Sequence, residues 1–243
     1  MATIIHTSNT PADLADTFAK QLIEWVNESI EDKFHLALSG GKTPSLLFSI
    51  LAQKYRDEVP WHKIHFWWGD ERMVTPEDPE SNFGVVNQLL FSGINLEKSQ
   101  IHRVIGENDP IYETKHYADQ INSEVPSKNC WPQFDLIILG LGDDGHTASI
   151  FPDQMQLLES KEITAIALHP ITHKPRITLT GKVLNNAKIV AFLVSGASKA
   201  EIFNEIIHEP FKATSYPAFY IRPYGELYWF VDEACMKMIK GNN

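Results

Sequence analysis

The chain has 243 residues, 43% of them hydrophobic and 21% charged, which suits a folded protein with a sizeable core and excludes a disordered one. Its formal net charge is −10 and it has no Lys/Arg-rich run, so nucleic-acid binding has no electrostatic support. No apolar run reaches membrane-spanning length, and the opening stretch MATIIHTSNTPADLADTF lacks the basic-then-apolar order of a secretory leader.

Residues 11–29 place Leu14, Phe18, Leu22, Trp25 and Val26 at helical spacing, and Pro11 suits a first helical turn. Phe34–Leu38 predicts a strand. Ser39-Gly40-Gly41-Lys42-Thr43-Pro44 interrupts it, and Pro44 opens a predicted helix that runs to Tyr55. A glycine loop between a strand and a helix presents backbone N–H groups to an anion. The glycine spacing is neither that of a Walker loop nor that of a dinucleotide fingerprint. An ordinary tight turn is an equal reading of this fragment alone.

Ile64–Trp68 is a second predicted strand and ends in Gly69-Asp70-Glu71-Arg72, a polar cluster that by itself reads as a solvated loop. The polar segment TPEDPESN follows, placed to cover a site. Phe83–Phe91 reads as a helix, Ile101–Val104 as a short strand and Ile111–Glu124 as a helix. Phe134–Leu139 is an apolar run whose only charge is Asp135, the pattern of a strand buried on both faces. Gly140, Gly142 and Gly145 then let the backbone turn sharply. His146 stands among them, with Asp144 two residues before it and Asp143 three before. Ligands of open α/β sheets sit in the crevice at such strand ends.

Ile163–Leu168 predicts a strand. His169 and His173 in the loop after it read as exposed loop residues rather than ligands. Arg176–Thr180 alternates as a half-buried strand does, and Lys188–Val194 is a further strand. Ser195-Gly196-Ala197-Ser198-Lys199 turns into a predicted helix ending at His208, and Tyr228–Val231 is the last strand. Strands alternating with helices predict an α/β fold, with a doubly wound, mostly parallel sheet and helices on both faces. No internal repeat or composition break divides the chain, so residues 1–243 read as a single domain. Cys130 and Cys235 lie far apart, match no metal spacing, and read as free buried thiols in a reducing cytoplasm.

Taken together, the strand ends predict a pocket. Arg72, Arg176, Lys199 and the glycine loop supply what an anion needs, a local basic cluster in an acidic chain. His146 is a candidate to take a proton from water near neutral pH, with Asp144 orienting the imidazole or stabilising its cation. Gly142 and Gly145 can bring N–H groups towards a developing oxyanion. No serine or cysteine sits in a nucleophile elbow, and no His/Cys/Asp set has metal spacing. These parts suit metal-free hydrolysis, or proton transfer, on a small phosphorylated molecule.

SGGKTP (39–44), WWGDER (67–72), FDLIILGLGDDGHTASIFP (134–152), RITLT (176–180) and SGASKAEIF (195–203) resemble, in order and spacing, the 6-phosphogluconolactonase family of the glucosamine/galactosamine-6-phosphate isomerase superfamily. The long central motif is highly specific, whereas SGGKTP is shared with the related deaminases. The resemblance implies a Rossmann-like fold, no metal or organic cofactor, and a cytoplasmic enzyme. It also implies hydrolysis of 6-phospho-D-glucono-1,5-lactone to 6-phosphogluconate in the oxidative pentose phosphate pathway. His146 matches the family's general base, Asp144 the acid before it, and Arg72 and Lys199 cations that hold the phosphate. Arg176 and Gly40-Gly41-Lys42-Thr43 match further phosphate-side positions, and Asp70 of the WWGDER motif joins the substrate-binding candidates. Two residues depart from the pattern: Asp153, where glycine is common, and Lys42, where a small residue such as serine is common.

The nearest rival reading is a sugar-phosphate deaminase. Those enzymes use an additional glutamate soon after the histidine, and that position falls on Phe151 here. A non-catalytic sugar-phosphate sensor would keep the cations without needing a base. The expected partner is a small phosphorylated sugar lactone, not nucleic acid or membrane. The sequence leaves a monomer and a small homo-oligomer both open.

Overall fold

The computed structural model describes residues 3–237. In chain order the elements are β1 (Thr3–Ser8), α1 (Pro11–Glu28), β2 (Phe34–Leu38), α2 (Lys42–Gln53), β3 (Ile64–Trp68) and β4 (Asp70–Arg72). Then come α3 (Asn82–Leu89), α4 (Pro110–Glu124), a short hairpin of β5 (Ser127–Lys128) and β6 (Trp131–Pro132), β7 (Leu136–Leu139) and β8 (Thr164–Leu168). β9 (Pro175–Leu179), α5 (Gly181–Asn186), β10 (Ile189–Val194), α6 (Ala200–His208) and β11 (Glu226–Asp232) complete the order. The first helix starts where its chemistry dictates. Thr10 accepts a hydrogen bond from Asp13 N at 3.1 Å, Pro11 fills the first turn, and the apolar stripe read from the sequence is buried.

Six strands form one sheet in the order β1-β11-β10-β7-β2-β3, and every pairing is parallel. Alternate residues serve opposite faces. Leu36, Leu38, Phe66 and Trp68 pack with Phe18, Phe48 and Leu51 of α1 and α2. Ala37, Trp67, Ile137, Phe192 and Trp229 pack with Tyr117 of α4 and Phe203 of α6. Helices therefore cover both faces, the layered solution expected of a parallel sheet. Phe192 and Trp229 stack at 4.0 Å between ring centroids, and removing either ring would cost about 3–5 kcal/mol. The single charge of the central strand run is accounted for at the sheet's amino edge. Asp135 accepts from His35 N at 2.7 Å and pairs with Lys188 Nζ at 2.7 Å.

The strand order reverses between β2 and β7. From β2 the chain steps outward to β3, whereas from β7 it proceeds the other way through β10 and β11. A crevice opens where the loops after β2 and β7 part in opposite directions.

Several expectations need correcting. Asp70–Arg72 is not a solvated loop. It is an edge strand of a second, three-stranded antiparallel sheet, β4-β9-β8, with Asp70 opposite Thr178 and Arg72 opposite Arg176. Ile101–Val104 makes one bridge, Ile101 to Phe66, and no strand. β1 and α5 carry no sequence signal that was read as an element.

Candidate active site

One cavity of about 530 Å³ lies at the switch point. It is lined by the loops after β2, β7 and β10 and by side chains of β4 and β9. Gly40, Gly41, Lys42, Thr43, Asp70, Arg72, His146, Arg176 and Lys199 all line it, and Asp144 stands directly behind His146.

The loop after β7 is built around its histidine. Gly142 N donates to His146 O at 2.8 Å, and Gly145 N to Gly142 O at 3.1 Å. Gly145 has φ +81°, a left-handed conformation that a side chain would strain. A Cβ on Gly142 would collide with the imidazole and with Asp144 Oδ1, so only a bare Cα lets the ring fold back over the turn. Asp144 Oδ1 accepts from His146 N at 3.1 Å and meets His146 Nδ1 at 2.6 Å. Burial alone would raise the Asp144 carboxyl, but the hydrogen bonds and charge of His146 win and hold it at about 2. A carboxylate in that place assigns the proton to Nδ1 and leaves the Nε2 lone pair of the neutral ring free. The ring is 4.8 Å from that of Phe151, and its side chain is 30% exposed.

The positive groups come from three separate elements. Arg72 Nη1 donates to Glu80 O at 2.7 Å, while its Nε is buried without a partner. The Arg176 guanidinium lies 5.6 Å from the Phe151 ring centroid. Burial, and then the Arg72 charge, lowers Arg176 below the usual guanidinium range, because two cations share one partly desolvated place. Lys199 Nζ donates to Asp143 Oδ1 at 2.6 Å. On the opposite wall Gly41 takes φ +112° as the chain turns into α2, and Thr43 Oγ1 and Ser195 Oγ hydrogen-bond at 2.8 Å across the crevice.

The acids of WWGDER divide their duties. Asp70 is 4% exposed and accepts from Ser149 Oγ at 2.7 Å, so one oxygen fixes the loop after His146. Glu71, 2% exposed, accepts from the backbone N of Arg72, Asn82 and Phe83 at 2.7, 2.8 and 2.7 Å. Burial pushes its carboxyl up to about 7 against those three donors. Glu71 is thus the anchor of α3. Asn82 Nδ2 donates to Asp70 O at 2.8 Å and fills the space beside Gly40. With Lys174 paired to Glu80 at 2.9 Å and Met73 N donating to Pro175 O at 3.3 Å, the 73–82 segment is fastened at both ends beside the pocket.

His173 is exposed, as read from the sequence, but His169 is half-buried. Its Nδ1 accepts from Ile171 N and Thr172 N at 3.3 and 3.1 Å, and its ring meets Phe151 edge-on at 5.6 Å. Sequence reading also missed the brace behind the loop that carries His146. Ala218 N donates to Gly145 O at 3.1 Å, and the Tyr216 ring packs where a Gly145 side chain would be. Tyr216 Oη donates to Glu205 Oε2 at 2.6 Å, which with burial pushes the phenol up to about 12. No periodicity or motif announces these contacts; only the glycine at 145 hints that something presses on it.

A parallel sheet whose switch-point crevice joins a glycine turn, a carboxylate-bound histidine and a cationic wall defines a doubly wound α/β protein. The chain belongs to the family of glucosamine-6-phosphate isomerases and 6-phosphogluconolactonase, whose model matches residues 9–229. It is 40% identical over 232 residues to the 6-phosphogluconolactonase of Haemophilus influenzae, covering 95% of this chain and 97% of that one. It is 42% identical over 207 residues to that of Aggregatibacter actinomycetemcomitans, covering 84% and 87%. The solved structure of 6-phosphogluconolactonase from Thermotoga maritima superimposes with a TM-score of 0.83 at 30% identity, over 95% of this chain and 100% of that one.

Proposed function

We propose that the protein is a cytoplasmic 6-phosphogluconolactonase. It hydrolyses 6-phospho-D-glucono-1,5-lactone to 6-phospho-D-gluconate in the oxidative pentose phosphate pathway, with no metal and with His146 as general base. The observation that carries this reading is the Asp144–His146 pair at 2.6 Å, set in the same cavity as Arg72, Arg176 and Lys199. The cations hold the phosphate. His146 Nε2 takes a proton from water as the oxygen attacks the lactone carbonyl, and Asp144 steadies the imidazolium that forms. The N–H groups of Gly142 and Gly145, expected from the sequence to meet the oxyanion, are instead bonded within the turn to His146 O and Gly142 O. As the tetrahedral species collapses, the bond to the ring oxygen breaks and His146 returns its proton to that oxygen. The new carboxylic acid loses its own proton to solvent.

Three further observations support the reading. Relatives that match over most of this chain include the 6-phosphogluconolactonases of Haemophilus influenzae and Aggregatibacter actinomycetemcomitans. The position of the deaminases' extra glutamate holds Phe151, a buried ring that forms a wall between His146 and Arg176 and cannot shuttle a proton. Cys130 and Cys235 are both free thiols, as suits a reducing compartment, but only Cys235 is buried and Cys130 is exposed, contrary to the expectation for both. The test is a coupled assay on freshly made lactone, corrected for spontaneous opening and run with and without EDTA, beside glucosamine 6-phosphate with ammonia detection. Catalysed 6-phosphogluconate formation that survives EDTA is expected. Ammonia release without lactone hydrolysis would overturn the proposal.

A further inference from the structure

Lys199 does not stand in the pocket as a bare charge. Its Nζ donates to Asp143 Oδ1 at 2.6 Å, and both residues line the cavity. The pair is lopsided: the Lys199 side chain is 19% exposed and that of Asp143 is 78% exposed. Lysine is the embedded member and aspartate the solvated one. The other two carboxylates of the site already have structural duties, Asp144 on His146 and Asp70 on Ser149. The Asp143 carboxylate holds nothing among the described residues except the lysine.

We propose that Asp143 is a surrogate anion, which neutralises Lys199 in the empty pocket and yields its place when a phosphate group arrives. This rests on the reading that Lys199 takes the substrate phosphate. An exposed ion pair is weak and its carboxylate can turn out into water. A phosphate dianion brings more charge and more acceptor oxygens, and it meets Arg72 and Arg176 as well, so it displaces the carboxylate. Displacement does not remove Asp143 from the scene. It remains a like charge a few ångströms from the bound phosphate, and at such a separation near a solvated surface it weakens anion binding roughly three- to tenfold. Asp143 therefore sets how tightly any phosphate is held. It penalises weak single-charge anions that gain little from the arginines, and it eases departure of the phosphorylated product.

The experiment measures the Kd of inorganic phosphate by calorimetry, and the KM for the lactone, on the wild type, Asp143→Asn, Asp143→Ser, Lys199→Met and the Asp143→Asn/Lys199→Met double variant. Removing the carboxylate is expected to tighten phosphate roughly three- to tenfold and to lower KM, with a gain that shrinks as salt rises. Lys199→Met should weaken phosphate, and in its background Asp143→Asn should have less effect than it has alone. The serine variant guards against a local folding fault in the asparagine one, since both must move Kd in the same direction. If phosphate affinity and KM are unchanged in both Asp143 variants while Lys199→Met weakens binding, Asp143 has no such role and the phosphate assignment of Lys199 stands. If Lys199→Met itself leaves Kd and KM unchanged, the phosphate lies elsewhere and both ideas fall.

Discussion

The two ends of one sheet treat histidine in opposite ways. At the carboxyl edge His146 sits half-exposed, its Nδ1 on a carboxylate that stays ionised down to about 2. At the amino edge His35, His65 and His102 form a chain of rings. His65 Nδ1 and His102 Nε2 are 3.0 Å apart, Trp67 Nε1 donates to His35 Nδ1 at 3.2 Å, and Trp67 stacks on His102 at 4.0 Å. Burial, and then the charge of His65, pushes His35 and His102 down to about 4, and burial lowers His65 as well. The residue type is the same, but a carboxylate partner and access to water distinguish the proposed base from a packing element. Counting histidines in the sequence would have weighted the wrong edge.

The contrast is sharpest in activity. His146→Ala is expected to lower kcat by roughly two to four orders of magnitude, measured after subtracting spontaneous lactone opening, with the thermal midpoint little changed. An unaltered kcat would remove the ring from the base role. His102→Gln at the other edge should do the reverse, lowering the midpoint and sparing kcat. Next in size, Arg176→Ala should raise KM roughly tenfold to a hundredfold through loss of charge-assisted contacts, with a much smaller change in kcat. A KM indistinguishable from wild type would place the phosphate away from β9.

A smaller effect is expected from the brace. Tyr216→Phe breaks the bond to Glu205 and loosens the support under Gly145, so kcat should fall a few-fold with KM retained. Equal losses in kcat and thermal midpoint would mean that Tyr216 serves stability alone. The smallest effect belongs to the amino edge. Because His35 and His102 are lowered in the fold, the unfolded chain binds more protons between about 4 and the ordinary value near 6.5. Their contribution to stability is complete above that window and is lost as pH falls through it. The thermal midpoint should drop by several degrees between pH 7 and pH 4.5. His102→Gln, although less stable at neutral pH, should show a shallower slope; an equal slope would exonerate the cluster.

What the sequence made legible follows from the range of the forces involved. The strands of the main sheet other than β1 read clearly because both of their faces are buried, so hydrophobic runs mark them. The doubly wound, mostly parallel arrangement then follows from strand–helix alternation. The Asp144–His146 pair was readable because both partners lie on one glycine turn, two residues apart. β4 was hidden because its three residues are polar. They are buried only through pairing with β9 and through the three backbone donors that enclose Glu71. β1 was hidden because it is an edge strand whose residues alternate between half-buried and exposed until Ser8. The Tyr216 brace and the Lys199–Asp143 pair are contacts between segments remote in sequence, and such contacts leave no local pattern.

The bare Cα at 142 has a consequence of its own. The seat of the imidazole is defined by a carbon that is missing, since even the smallest side chain there would meet the ring and its carboxylate together. Substitutions elsewhere on the cleft wall can grade selectivity in increments. At this position there are no increments: a methyl group displaces the ring from its seat.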